Sequence, residues 1–253
     1  MSLLGQLFHD WIDLAFTFVI LTIAYVIFGI AGFGSALIAA PLLAHKLPLT
    51  AVVPLLALLD LTAACINGFK LRADVAKKEL FWLVPLMITG SVAGIMLLVS
   101  LPARLMIFLF GLFVIAYGVY GIYARPQGGK LAFGWVWPFG LTGGLVSGMF
   151  GSGGFIYSIF LSRRLQEKDA IRATQSTLIG LSTLTRVSIF AIVGAYYDFR
   201  LLLLALASLP ALLFGIYIGH RVTNRLSLPQ FTRILHFVLI ATGCSLIWRA
   251  AAG

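Results

Sequence analysis

Charged residues are scarce in this chain, and acidic residues most of all. Only 10% of the 253 residues are charged, and 8 Asp and Glu stand against 18 Lys and Arg. A soluble domain of this size carries about a quarter charged residues, so this chain lacks the charge to cover a water-facing surface. A mean hydropathy of +1.05 and 61% hydrophobic residues are typical of a polytopic membrane protein. The sequence therefore predicts an all-α fold of transmembrane helices.

Signatures of catalysis, metal binding and nucleotide binding are sparse as well. Cys65 and Cys244 lie far apart in apolar segments, which predicts neither a disulfide framework nor a metal site. The ionisable residues inside apolar segments, Asp60, Arg186 and His236, are too widely separated in sequence to predict a catalytic cluster. No glycine run continues into the Gly-Lys-Ser/Thr of a nucleotide-binding loop. We therefore expect no enzyme, no cofactor and no ATP-driven pump.

The net charge of +10 lies in short loops between apolar segments. A basic chain suggests nucleic acid as a partner, but basic residues between apolar segments more often mark the cytoplasmic side of a membrane protein. We therefore expect the lipid bilayer as the partner, and no nucleic acid. The apolar segments are approximately 11–44, 49–68, 79–99, 104–123, 133–162, 173–194, 200–219 and 229–249.

The chain repeats itself. GIAGFGSALIAAP (29–41) aligns with GMFGSGGFIYSIF (148–160), so that Gly29, Gly32 and Gly34 match Gly148, Gly151 and Gly153. Two further matches follow in the same order: VPLMITGSVAG (84–94) with LPALLFGIYIG (209–219), and the LP pairs that begin at 101 and 228. Internal repeats are a usual transporter architecture. We predict a single membrane domain over residues 1–253, with homologous halves at about 11–123 and 133–250.

The loop charges distinguish two topologies. If all eight segments cross the membrane, the loops on one side carry eight Lys and Arg residues and the loops on the other side carry nine. If segment 133–162 turns back without crossing, the two sides carry 13 and four, as the positive-inside rule prefers. That segment is also too long for one ordinary helix and too short for two full spans. We expect two inverted halves, each a broken hairpin followed by three crossing helices. Eight crossings with two long, broken helices are the alternative.

The glycine-rich turns predict an anion site. Non-helical backbone at membrane depth persists only where it lines a polar cavity or is buried in protein. New helices that begin at about Ser35 and Gly154 would aim their partially positive N–H groups at one place. Tight helix packing is the alternative role of such small residues. Gly29, Pro41 and Gly148 are expected at the helix breaks. The predicted substrate-binding residues are Gly32, Gly34, Ser35, Gly151, Ser152, Gly153, Gly154, Gln175 and Arg186.

Asp60 and Arg186 lie near the centres of their apolar segments. Intramembrane ionisable residues are costly and are usually functional or paired. Arg186 is the candidate contact for an anionic substrate, and Asp60 the candidate carrier of a coupling proton or cation. Alternatively, the two form a structural ion pair. Ser182 and Thr185 lie within one helical turn of Arg186, where they would either line a path or bond between helices.

The paired motifs GIAGFGSALIAAPLL (29–43) and GLVSGMFGSGGFIYSIFL (144–161) resemble those of the TauE/SafE permeases. The resemblance implies a multi-pass protein of the bacterial inner membrane that transports sulfite, a sulfonate or another sulfur-containing organic anion. With the predicted turns, it favours a secondary transporter that works by alternating access. An anion channel on the same scaffold is the alternative, and a membrane-embedded enzyme is less favoured.

Overall fold

The computed structural model describes residues 11–31, 34–66, 75–123, 131–222 and 228–252. Regular structure within these ranges is helical throughout, as predicted, and a short 3₁₀ helix (Phe133–Trp135) precedes α6. The helices in chain order are α1 (Trp11–Ala31), α2 (Ser35–Leu43), α3 (Leu49–Ile66), α4 (Lys77–Ser100), α5 (Ala103–Tyr123), α6 (Val136–Phe150), α7 (Gly154–Arg164), α8 (Lys168–Ile192), α9 (Phe199–Val222) and α10 (Leu228–Ala252).

The outer surface of the helices is apolar. Helices α3, α4, α5 and most of α9 are long and apolar enough to cross a bilayer. Large apolar side chains point outward from several helices, including Phe81 on α4 at 73% exposure and Ile192 on α8 at 83%. A water-soluble monomer rarely exposes so many large apolar side chains. These helices therefore support the prediction of a multi-pass membrane protein.

Residues 131–164 form a hairpin of two helices. Phe139 on α6 and Phe160 on α7 have ring centroids 5.6 Å apart, so the two helices run side by side. The Leu131 N–H donates to the carbonyl oxygen of Arg163 at 3.2 Å, and the Arg164 Nη1 donates to the Leu131 carbonyl oxygen at 3.2 Å. The chain therefore leaves this hairpin at the end where it starts. With 15 and 11 residues, α6 and α7 are also shorter than the 24-residue α4.

The first apolar segment is also broken into two helices, α1 and α2, which pack together. Gly34, with φ +97°, precedes α2 in the left-handed conformation that glycine adopts without strain. Gly32 lies outside the described residues. The helices that begin after the two breaks start at Ser35 and Gly154, as expected from the sequence.

The helix ends gather at two opposite faces. At one, which we call the basic end (residues 75–79, 131–133 and 163–174), Arg164 forms an ion pair with Glu79 at 3.3 Å. At the other, which we call the far end (residues 44–54, 101–104 and 249–251), the Arg249 Nη1 donates to the Ala44 carbonyl oxygen at 2.6 Å. There the Arg104 Nε also donates to the Ala250 carbonyl oxygen at 2.6 Å. The α6–α7 hairpin thus opens toward the basic end, whereas α2 ends at the far end.

The structure corrects the expectation that Gly29 and Gly148 lie at the helix breaks. Gly29 lies inside α1, and Gly148 lies inside α6. A Cβ atom at Gly29 would lie 3.1 Å from the α9 backbone at Gly219, and one at Gly148 would overlap the Ser91 carbonyl of α4. Both glycines therefore permit close helix packing, the alternative that the sequence left open. Pro41, also expected at a break, is buried inside α2.

Candidate anion-binding site

A cavity of about 30 Å³ lies between the two helix breaks. Its lining comes from both halves of the chain, because α2 and α3 of the first half meet α6, α7 and α8 of the second half there. The polar residues that line it are Ser35, Asp60, Ser147, Ser152, Tyr157, Ser182, Thr183 and Arg186. The glycines are Gly34, Gly151 and Gly154, and the apolar wall consists of Phe28, Leu37, Phe155 and Ile179.

Two helices begin at this cavity. The first residues of α2 and α7, Ser35 and Gly154, both line it. The first N–H groups of a helix have no partner within the helix and carry partial positive charge. Gly151, with φ +76°, ends α6 in the left-handed conformation and also lines the cavity. The two chain breaks therefore bring two helix N-termini to one cavity.

Asp60 on α3 is buried, and both of its carboxylate oxygens accept hydrogen bonds. The Tyr25 hydroxyl donates to Oδ1 at 3.1 Å, and the Ser35 hydroxyl donates to the same oxygen at 2.5 Å. Arg186 Nη2 donates to Oδ2 at 3.3 Å. Only 5% of Asp60 is exposed. The ion pair that the sequence left as an alternative is therefore present between α3 and α8. Hydroxyl groups from α1 and α2 also hydrogen-bond to its carboxylate.

Arg186 on α8 makes far fewer hydrogen bonds than a guanidinium can donate. Its Nη2 approaches Asp60 and lies 3.4 Å from Thr183 Oγ1. Within the described residues, Nε and Nη1 have no hydrogen-bond partner, although only 3% of Arg186 is exposed. Burying charged donors without a partner costs several kcal/mol. This arginine can therefore bind an additional acceptor in the cavity.

Tyr157 on α7 carries another unsatisfied donor. Its side chain is fully buried, and its hydroxyl makes no hydrogen bond to any described residue. It lines the same cavity as Arg186. An anion bound here could accept hydrogen bonds from both side chains, and an Arg guanidinium suits two oxygens of an oxyanion at once.

The structure brings most of the predicted site residues together. Gly153 is buried next to the cavity and packs against the Gly143 carbonyl of α6. Gln175 is not among the residues that line the cavity, and Gly32 lies outside the described residues. The predicted residues that line the cavity are Gly34, Ser35, Asp60, Gly151, Ser152, Gly154 and Arg186.

Sequence reasoning missed the two tyrosines. Tyr157 belongs to the second glycine motif, and Tyr25 precedes the first by four residues. A tyrosine in an apolar segment is commonly interfacial, so composition alone did not single them out. Their positions beside the motifs were the available signal. Of the residues near Arg186, Ser182 lines the cavity and bonds to Ser147 at 2.9 Å, whereas Thr185 bonds to Leu181 of its own helix.

Comparison with known proteins agrees with these features. A probable inner membrane transporter protein TsaS from Comamonas testosteroni is 27% identical over 200 residues, which covers 77% of this chain and 83% of that protein. No solved structure matches the chain. The family model of the sulfite exporter TauE/SafE matches residues 17–246. The chain therefore belongs to the sulfite exporter TauE/SafE family, a family of membrane transporters and not of enzymes.

Proposed function

We propose that this chain is a secondary transporter of the bacterial inner membrane that moves a small sulfur-containing anion, such as sulfite or a sulfonate. The observation that carries the proposal is Arg186, buried at the cavity between two helix N-termini, with two nitrogens that lack a partner among the described residues. The family description, a sulfite exporter, supplies the substrate class, and the name of the relative supplies the transporter role and the inner membrane.

The cavity combines two ways of binding an anion. Arg186 supplies a full positive charge and two donors, and Tyr157 supplies a third donor. The N-termini of α2 and α7 add N–H groups and partial positive charge. Phe28 and Phe155 stand on the apolar wall, where the carbon part of a sulfonate would fit. The same cavity therefore suits the charged and the apolar parts of such a substrate.

The size of the cavity favours a carrier over an open channel. A volume of about 30 Å³ holds about two water molecules. A sulfonate has at least five heavy atoms, so the walls must separate before it binds. We propose that the two hairpins move relative to the rest of the protein, so that the cavity opens to one side at a time. This is alternating access around a fixed site.

We propose six full crossings and two inverted halves. The contacts at the basic end support this topology, because Arg164 pairs with Glu79 and the loop at 131 meets Arg163. Eight crossings would put 163–172 and 70–78 on opposite sides. Matched packing supports the repeat: Gly90 of α4 packs against Leu141 and Gly144 of α6, and Gly215 of α9 packs against Thr22 and Tyr25 of α1.

Transport by reconstituted protein tests the function. Proteoliposomes preloaded with unlabelled anion are supplied with radiolabelled sulfite, sulfate, thiosulfate or ethanesulfonate. We expect saturable counterflow of at least one of these anions, and counterflow in Arg186→Gln that needs a higher anion concentration. Flux that does not saturate and shows no counterflow would indicate an anion channel. Absence of flux for the whole panel would contradict the proposed substrate class.

A further inference from the structure

We propose that Asp60 binds a proton that crosses the membrane with each anion, so that this chain is a proton–anion symporter. Asp60 has this role only if the cavity binds an anion as proposed above. The argument for it comes from the charges and hydrogen bonds around a single carboxylate.

The charges of the side chains that line the cavity cancel. Of the described residues that line it, Asp60 and Arg186 are the only Asp, Glu, Lys or Arg. They lie on α3 and α8 and contact each other at 3.3 Å. Two further groups on other helices hydrogen-bond to Asp60, the hydroxyls of Tyr25 on α1 and Ser35 on α2. The other polar side chains of the cavity lining are hydroxyl groups: Ser147, Ser152, Tyr157, Ser182 and Thr183. The transporter can therefore change its conformation without substrate and without moving net charge across the membrane.

An anion on Arg186 would upset this balance. A monovalent anion that accepts hydrogen bonds from Nε and Nη1 would leave two negative charges beside one positive charge in a buried site. An uncompensated buried charge is so costly that the group usually takes a proton instead. A proton from the aqueous side to which the cavity is open would add to the Asp60 carboxylate. The contact between Asp60 and Nη2 of Arg186 would then break, and Nη2 would donate to the anion instead.

The hydroxyls around Asp60 suit both protonation states. A hydroxyl can donate a hydrogen bond and accept one, whereas a Lys or Arg side chain can only donate. The Tyr25 and Ser35 hydroxyls donate to Oδ1 when Asp60 is ionised. When Asp60 is protonated, either hydroxyl can accept the carboxyl proton after a rotation of its own hydrogen. The hydroxyl that accepts this proton must donate its own hydrogen elsewhere, and Ser35, which lines the cavity, can donate it to the bound anion.

The cycle follows from these two states. The loaded site holds the anion, Arg186 and a neutral Asp60, and its net charge is zero for a monovalent anion. On the other side the anion and the proton leave, and the Asp60–Arg186 pair forms again. One proton accompanies each monovalent anion, so a pH gradient drives the flux and the membrane potential does not.

Imposed gradients on the wild-type protein test this coupling. Ethanesulfonate is the probe, because a sulfonate stays ionised and cannot carry the proton itself. With a 1:1 cycle, an outside pH one unit lower than inside should give about tenfold accumulation. A potassium diffusion potential of 100 mV should change this accumulation little. The same potential would change the accumulation of an anion that crosses without a proton by about 50-fold. Accumulation that follows the potential and ignores the pH gradient would overturn the coupling. If only sulfite is transported, the same gradients are applied to sulfite in the wild type and in Asp60→Asn, because the protonation of sulfite itself is common to both and only the accumulation lost in the variant reports on Asp60.

Asp60→Asn and Glu79→Gln are matched variants for the same test. Both change a carboxylate to an amide, and both carboxylates lie 3.3 Å from an arginine, but Glu79 lies at the basic end and not in the cavity. In Asp60→Asn the accumulation driven by the pH gradient should be lost, and the anion flux that remains should follow the membrane potential. Glu79→Gln should keep the wild-type response to both gradients. Tenfold accumulation in Asp60→Asn would refute the role of Asp60. If the wild type shows no counterflow at all, the result would instead count against the proposed function. If Asp60→Asn does not fold, the gradients on the wild type still decide the coupling.

Discussion

Arg186 contacts Asp60 through one nitrogen only, with Nη2 lying 3.3 Å from Oδ2. The sequence left two alternatives for this pair, a structural ion pair and a substrate site. The contact supports the first, while Nε and Nη1, unsatisfied by any described residue, support the second. The charges of the pair therefore cancel in the cavity lining, and two guanidinium nitrogens are left without a partner among the described residues.

Arg186→Gln should weaken anion binding, because it removes the positive charge and the two unsatisfied donors. Hydrogen bonds to charged groups contribute about 1.5–3 kcal/mol, so we expect at least a tenfold rise in the apparent Kd for the transported anion. Concentration-dependent counterflow in proteoliposomes measures it.

Two control variants separate loss of binding from misfolding. Arg164→Gln removes the arginine that pairs with Glu79 outside the cavity and should retain the wild-type Kd. The double variant Asp60→Asn/Arg186→Gln removes the unpaired carboxylate as well, and it should fold yet bind as weakly as Arg186→Gln. An unchanged Kd in Arg186→Gln would leave Arg186 with a structural role alone.

Tyr157→Phe should weaken binding without destabilising the protein. The hydroxyl makes no hydrogen bond to any described residue, so its removal breaks no hydrogen bond within the described part of the chain. Loss of one hydrogen bond to an anion is worth about 1.5–3 kcal/mol, which corresponds to a rise in Kd of at least about tenfold. Tyr117→Phe is the matched control, because Tyr117 packs against Phe155 but does not line the cavity. A lower Tm with an unchanged Kd in Tyr157→Phe would contradict the assigned role.

Gly151→Val and Gly153→Val should abolish transport while the protein still inserts into the membrane. At Gly151 the φ of +76° strains any L side chain, and a Cβ atom would lie 2.9 Å from Arg186 Nη1. At Gly153 it would overlap the Gly143 carbonyl. Gly134→Val is the control, since nothing lies within 4 Å of a Cβ atom there. Counterflow and membrane-fraction yield are the two measurements. Full counterflow in both variants would contradict the role assigned to the glycine turn.

The topology can be tested by cysteine labelling in intact cells. In a background with Cys65 and Cys244 replaced by Ser, single cysteines are placed at Lys77, Glu167 and Thr50, which are all exposed. With six crossings, a membrane-impermeant thiol reagent should label only Thr50→Cys. With eight crossings, Glu167→Cys would react in the same way as Thr50→Cys, and Lys77→Cys would differ from both.

Sequence reasoning reached the family, the helical class and most of the cavity. The glycine motifs predicted where α2 and α7 begin, because a chain break within an apolar segment has few other sequence signatures. Asp60 and Arg186 stood out because charges are rare in apolar segments. Gln175 was a less successful choice. It lies about three turns before Arg186 on α8, and polarity alone does not say which face of a helix meets a cavity.

The sequence by itself determined the class of protein, since so little charge cannot cover a water-facing surface and the repeated motifs require breaks in two apolar segments. Only the tertiary structure decided which glycines turn the chain and which let helices pack closely, because glycine serves both roles and the residue type alone does not distinguish them. It also decided that Asp60, Tyr25, Ser35 and Arg186 meet at one point. Those contacts join α1, α2, α3 and α8 across sequence separations of up to 126 residues, which no local pattern specifies.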